Sequence, residues 1–165
     1  MNTTESTDRA ILLARAAHLA QPVVVETGTF TDMLVFVLAG ERYAVPASAV
    51  REVVVLTQRV PYPGAVKPIV GLTLWRGALL RLIDIRTRLG LKATALNDLA
   101  RVLVIEGART TLGLLVDDVQ EVRPIDVPRL RTPALGTVRH TELIVGVTAD
   151  AVAVLTTERL LELDP

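Results

Sequence analysis

Few residues in this chain have the types and placing to do chemistry. Asp84, Asp117 and Asp118 each follow an apolar run, where a carboxylate can be held partly buried and tuned for proton transfer. Asp is equally common where strands end in turns, and no nucleophile or histidine stands at a spacing that would complete an active site. No enzymatic activity is expected, and amide replacements at Asp117 and Asp118 should cost only modest stability. Metal binding fares no better. The chain has no cysteine, its two histidines, His18 and His140, lie far apart and read as surface residues, and no acidic cluster has calcium-loop spacing. With no glycine-rich phosphate loop either, no cofactor is expected.

Recognition is the remaining chemistry, and it centres on Trp75-Arg76-Gly77. Gly77 can adopt backbone conformations that side-chained residues resist, and Arg76 beside it carries five donors in a fixed fork. An arginine at a hairpin, taken alone, reads as an exposed turn residue. Trp75, the only tryptophan, is open to two readings, a core plug or an exposed anchor. Trp and Arg sharing one turn strengthens the second, because both are enriched at binding hot spots.

The elements that must position this turn are strands. From Gly71 to Asp84, Leu72, Leu74, Leu80 and Leu82 alternate on either side of Arg76-Gly77, the pattern of two apolar strands and a tight turn. Before it, Met33–Leu38 and Arg42–Pro46 read as a hairpin about Ala39-Gly40-Glu41, and a third strand begins at Ser48 with Val50, Val53 and Val55 apolar. Pro61, Pro63, Gly64 and Pro68 form a loop, with Gly64 and, later, Gly113 expected on tight backbone. After Asp84 a helical turn ends at Gly90, and residues 91–100 form a loop or a second short turn. Strands at Arg101–Glu106 and Thr110–Val116 repeat the hairpin logic, and alternation resumes through Val119, Glu121 and Val122. Pro124, Pro128 and Pro133 mark an irregular stretch. A last hairpin, Leu143–Thr148 with Ala151–Leu155, precedes a short helix capped by Thr156 or Thr157 and running through Leu163. Residues 1–32 comprise a polar start, an amphipathic helix over 8–20 carrying Ile11, Leu12, Ala16 and Leu19, and a linker; residues 33–165 form the strand-rich domain. About nine short strands without long crossover helices argue for an all-β protein of antiparallel barrels, and allow two of them.

Composition narrows the partners. With 18 basic and 18 acidic residues the formal charge is zero, and 3% aromatic content makes a poor stacking platform, so nucleic acid is not expected. Mean hydropathy is +0.44, yet no apolar run is long enough to span a bilayer, and no direct membrane insertion is expected. The cysteine-free composition and the absence of a secretion signal place the protein in the cytoplasm.

Six blocks in order, LVFVLAGERYAVP, VREVV, YPGAVKPIVGL, RGALLRLIDIRTRLGL, TLGLLVDDVQEV and IVG, make the sequence resemble the CheW family of chemotaxis coupling proteins from Met33 to about Leu163. The resemblance implies two five-stranded SH3-like β-barrels sharing a hydrophobic core. It implies a non-enzymatic adaptor joining the cytoplasmic tip of chemoreceptors to the regulatory domain of a CheA-type histidine kinase, at membrane-associated receptor arrays. It carries partner contact onto Val50, Glu52, Gly71, Arg76, Gly77 and Val119, to which Trp75 is added as Arg76's neighbour. It gives Asp84 a structural role, accepting backbone donors where a strand ends.

The departures from the family pattern flank that contact. Leu74-Trp75-Arg76-Gly77 stands where the family usually has Asn-Leu-Arg-Gly, and Arg81 stands where a proline is usual. They point to a partner with a different surface, or to an output other than swimming. Two other readings are a small-molecule sensor with an apolar cavity between barrels and a regulatory domain of a larger kinase. The second is disfavoured by the start at Met1 and by the lack of phosphotransfer and nucleotide-binding motifs.

Overall fold

The computed structural model describes residues 28–92, 100–133 and 141–163. The helix expected over 8–20, both histidines and residues 93–99 of the expected loop lie outside them. In chain order the strands are β1 (Phe30–Leu38), β2 (Glu41–Pro46), β3 (Val50–Val55), β4 (Ile69–Trp75), β5 (Ala78–Ile83), β6 (Arg101–Glu106), β7 (Thr111–Val116), β8 (Asp118–Asp126), β9 (Ile144–Val147) and β10 (Val152–Leu155), followed by helix α1 (Thr157–Leu161). They form two five-stranded sheets, ordered β8-β1-β2-β10-β9 and β3-β6-β7-β5-β4. The second barrel is thus one continuous stretch, inserted between the two pieces of the first.

The two sheets are built alike. Each has one parallel pair, β10 with β2 and β5 with β7, among antiparallel neighbours. Each is closed by a segment that follows its edge strand: Val60 and Leu72 exchange N–H···O bonds of 2.9 Å, and so do Arg131 and Val147. Each edge strand is bulged near its start. β3 shifts register between Val50 and Glu52, and the β1–β8 pair shifts between Leu34 and Phe36.

Period-two alternation sends each inner strand's residues to two different cores. Met33 and Val35 of β1 fill the first barrel with Ala44, Ile125, Val152 and Val154. Leu34, Phe36 and Leu38 face the other way, into a core shared with Leu103, Ile105, Leu112 and Leu114 of the second barrel. Leu80, Leu82, Val102, Val104 and Leu115 fill the second barrel itself. Strands buried on both faces explain the near-continuous valine and leucine runs. Gly113 sits inside that barrel, where an added Cβ would lie 2.6 Å from Val102 Cγ1 and 2.8 Å from Leu82 Cδ2. Its tightness is steric, whereas Gly64 has φ +75°.

Several boundaries differ from the sequence reading. Residues 47–49 make a 3-10 turn, so β3 begins at Val50 rather than Ser48. β8 runs through Pro124, which pairs with Asp32; an edge strand tolerates a proline because its outward side needs no donor. β1 accordingly begins at Phe30. The turn after β5 is closed as expected by Gly90 (φ +77°), with Leu91 N–H on Arg86 O at 2.8 Å and Gly90 N–H on Thr87 O at 3.3 Å. Thr156 occupies the N-cap of α1, but its hydroxyl donates to Glu158 Oε2 at 2.7 Å instead of capping the backbone. That bond holds the Glu158 carboxyl below its ordinary range.

Arg86 in that turn is the largest fully buried side chain among the described residues, 1% exposed. Nη2 donates to Asp117 Oδ1 at 2.6 Å, and Nη1 lies 3.0 Å from Asp84 Oδ2 as an ion pair. Asp84 Oδ1 accepts Arg86 N–H at 3.0 Å, and Asp117 Oδ2 accepts Ala39 N–H at 2.6 Å from the β1–β2 turn. One guanidinium therefore ties the end of β5 to the junction where the chain crosses back to the first barrel. Because removing one member strands buried charge, Arg86→Ala should lower unfolding free energy by about 3–5 kcal/mol in a denaturant titration. Gly113→Ala should cost about 1–3 kcal/mol through overpacking. Combined with Val102→Ala, it should cost less than the two single changes together.

Candidate partner-binding site

The β4–β5 hairpin turns on two residues, Arg76 (φ +49°) and Gly77 (φ +80°), between the paired Trp75 and Ala78. Positive φ at both central positions is what a two-residue hairpin of right-handed twist requires. A side-chained residue in the left-handed region is strained by about 1–2 kcal/mol. Arg76 Nε donates to Glu52 Oε2 at 3.0 Å, and its Cζ lies 5.2 Å from the Trp75 ring centroid. Trp75 Nε1 donates to the same Glu52 oxygen at 2.9 Å. Glu52 belongs to β3, the opposite edge of the sheet, so this cluster closes the barrel's rim with side chains.

Trp75 is neither a core plug nor an exposed anchor. It is half-buried, its ring packed against the second barrel's core and its N–H on Glu52. Arg76 keeps 62% of its side chain exposed. The Glu52 carboxyl is held below its ordinary range, first by the Trp75 hydrogen bond; desolvation opposes this, and Arg76 and then Arg51 add to the lowering.

The other sequence candidates fall elsewhere. Val50 and Val119 are half-buried at the start of the edge strands, opposite Ile105 and Phe36, each just before its bulge and packed on the shared core. They are equivalent positions in the two barrels. Gly71 is buried with φ +153°, and a Cβ there would lie 2.6 Å from Val60 O, so this glycine lets the closing segment lie on β4. The structure thus brings Glu52, Trp75, Arg76 and Gly77 together and sets Val50 and Val119 apart at the barrel junction.

The acids are structural. Asp84 and Asp117 hold Arg86, and Asp118 Oδ1 accepts its neighbour's Val119 N–H at 2.8 Å. Asp117→Asn is therefore not the mild change expected, because it weakens the acceptor of a buried cation. Sequence reasoning missed Arg86; its signal was an arginine two residues after the strand-ending aspartate. It also missed the hairpin's faces. Leu74 pairs with Leu79 and Thr73 with Leu80, so Leu72 and Leu74 lie on the other face of the sheet from Leu80 and Leu82, because the two-residue turn fixes the register.

A cleft of about 440 Å³ lies on the first barrel's flank, lined by Glu41, Arg42, Tyr43, Ile144, Val147 and Ala153. The Tyr43 phenol beside it is pushed up by burial and by its bond to Glu41. Side chains of the common core, by contrast, fill the interface between the barrels. No helix among the described residues is long and apolar enough to cross a membrane, and no cluster of metal-ligating side chains occurs among them.

Two like barrels are fused over one core, with Trp75 and Arg76 on a hairpin tip and half-buried valines on matched edge strands, an architecture that adaptor and scaffold proteins of the CheW-like class share. The CheW-like domain model matches residues 32–164, and the chain belongs to that family. It is 25% identical over 118 residues to the chemotaxis protein CheW of Bacillus subtilis, covering 72% of this chain and 76% of that one. It is 31% identical over 91 residues to the chemotaxis protein CheW of Rhizobium meliloti, covering 55% and 59%. The crystal structure of the scaffolding protein TtCheW from Thermoanaerobacter tengcongensis superposes with a TM-score of 0.69 at 26% identity, over 81% of this chain and 88% of that one.

A depressed carboxyl stabilises the fold above its unfolded pKa, about 4.3 for Glu, and loses that contribution as pH falls through the lower folded value. Trp75 fluorescence should accordingly change at a pH below the ordinary glutamate range while the protein is still folded by circular dichroism. Glu52→Gln should abolish that transition.

Proposed function

We propose that this protein is a non-enzymatic coupling adaptor, joining the cytoplasmic tip of chemoreceptors to a CheA-type histidine kinase within cytoplasmic receptor arrays. The observation that carries the reading is the Arg76 clamp. A guanidinium at a two-residue turn, held at Nε by Glu52 and stacked on Trp75, is pre-organised to make paired hydrogen bonds to a partner at little entropic cost. Family membership supplies the class of partner. Val50 and Val119, equivalent in the two barrels, are the second contact region of the proposal, and Gly71 and Gly77 serve by shaping the backbone. Asp84 and Asp117 are committed to the buried arginine, which supports a role without chemistry.

Arg76→Ala should weaken assembly with the kinase regulatory domain or the receptor tip by about 1–3 kcal/mol. It should change thermal stability little, since an exposed ion pair contributes less than about 1 kcal/mol. Arg76→Lys should restore only part of the affinity, because a point charge cannot replace a fork. Co-sedimentation with receptor fragments and kinase, run beside thermal melts of the same samples, reads both. Undiminished assembly by well-folded Arg76→Ala would remove the hairpin tip from the interface.

A further inference from the structure

The outward face of the β1–β8 pair carries an apolar strip that its own domain leaves open. Cross-strand pairing puts Phe30, Asp32 and Leu34 of β1 on one face with Asp126, Pro124 and Val122 of β8. Leu34 is buried in the shared core, but Phe30 is 59% and Val122 56% exposed, and Pro124 is exposed between them. Beyond Val122 the bulge returns Val119 to the same face, opposite Phe36. The strip therefore runs on into a proposed partner contact.

The chain reaches β1 from this same side. Phe30 N–H bonds Gly28 O at 2.9 Å, a three-residue turn that reverses the incoming chain. Gly28 lies against the face itself, since a Cβ there would stand 2.8 Å from Phe30 Cε2 and 2.7 Å from Asp126 Oδ2. Residues 1–27 thus join the domain where the exposed strip begins. Their sequence suits it. Leu12, Ala16 and Leu19 recur at i, i+4 and i+7, a helical stripe bordered by Arg9 and Arg15. A helix over 8–20 is about 20 Å long, and β1 from Phe30 to Phe36 covers roughly the same length. Residues 21–29 span up to about 30 Å when extended, enough for that helix to fold back along the strand. Asp32, exposed on the face, offers a carboxylate to one of the bordering arginines.

We infer that residues 8–20 dock as an amphipathic helix on this face of their own domain, seating Leu12 and Leu19 on Phe30 and Val122 and covering Val119. The tether makes the contact intramolecular, so a modest apolar area is enough to populate it. A docked helix competes with any partner that binds at Val119, which makes the segment a built-in gate on assembly. Only that consequence rests on the adaptor reading; the docking does not.

The chain has no cysteine, so introduced pairs report the contact directly. In the full chain, Val122→Cys is combined in turn with Leu12→Cys, with Leu19→Cys and, on the opposite side of the helical stripe, with Ala14→Cys. All three share one tether and differ in the face they present, so one of the leucine positions should close an intramolecular disulfide about tenfold or more faster than Ala14→Cys. Oxidised, that variant should lose assembly with receptor fragments and kinase about tenfold and recover it on reduction. Leu12→Asp with Leu19→Asp should strengthen assembly about threefold or more, with the domain still folded by circular dichroism. Equal or negligible closure at all three positions overturns the inference and leaves the adaptor reading untouched. Disulfides formed between two chains also overturn it, because the occupant is then a second copy. If closure follows the leucines while neither oxidation nor the aspartates move assembly, the docking stands and the partner contact at Val119 falls.

Discussion

A cation buried at the junction of the barrels, Arg86, constrains this fold more than any other polar group among the described residues. Desolvating a guanidinium costs several kcal/mol, and only closely held carboxylates and backbone donors return it. Arg86 meets Asp84 from its own barrel and Asp117 from the crossover, and Asp117 in turn holds Ala39 of the first barrel's hairpin. Any rotation of one barrel against the other would pull that network apart. The shared core supplies the driving force for association, while the ion network fixes one orientation among those the apolar contacts would tolerate.

That rigidity matters at a distance. β5 ends at the Arg86 network and begins at the hairpin tip, so the strand that carries Ala78 and Leu79 is anchored at its far end by the same buried charge. At the near end Glu52 joins the two edges of the sheet through Trp75 and Arg76. The hairpin tip therefore stands on a strand fixed at both ends, which limits the conformational freedom of the candidate contact residues. Repetition adds a second consequence. Both barrels place a half-buried valine just before a bulge in an edge strand, so one molecule presents two similar surfaces, and a bulged edge discourages unspecific strand pairing at each.

Much of the architecture was legible in the chain. Apolar alternation, paired turn residues and the lack of crossover helices led to all-β barrels, because a strand's burial pattern is written in its own residues. The runs in β1, β6 and β7 are apolar on both faces, and the structure explains them by a core on either side of these strands. Arg76-Gly77 was recognisable as a turn, since few residue pairs accept positive φ twice in succession. The proline in β8 misled, because a local rule cannot know that its strand lies at an edge.

What only the tertiary structure decided are relations between residues distant in sequence. Which face of β4 carries Leu74 depends on register, and register is settled by pairing across the turn rather than by composition. That Glu52 reaches Trp75 and Arg76, that Asp117 serves a buried arginine instead of a proton transfer, and that Val50 and Val119 occupy matching places all follow from closing two barrels around one core. A carboxylate has the same chemistry in any sequence. Its partner, and so its role, is set by what folding places a few ångströms away.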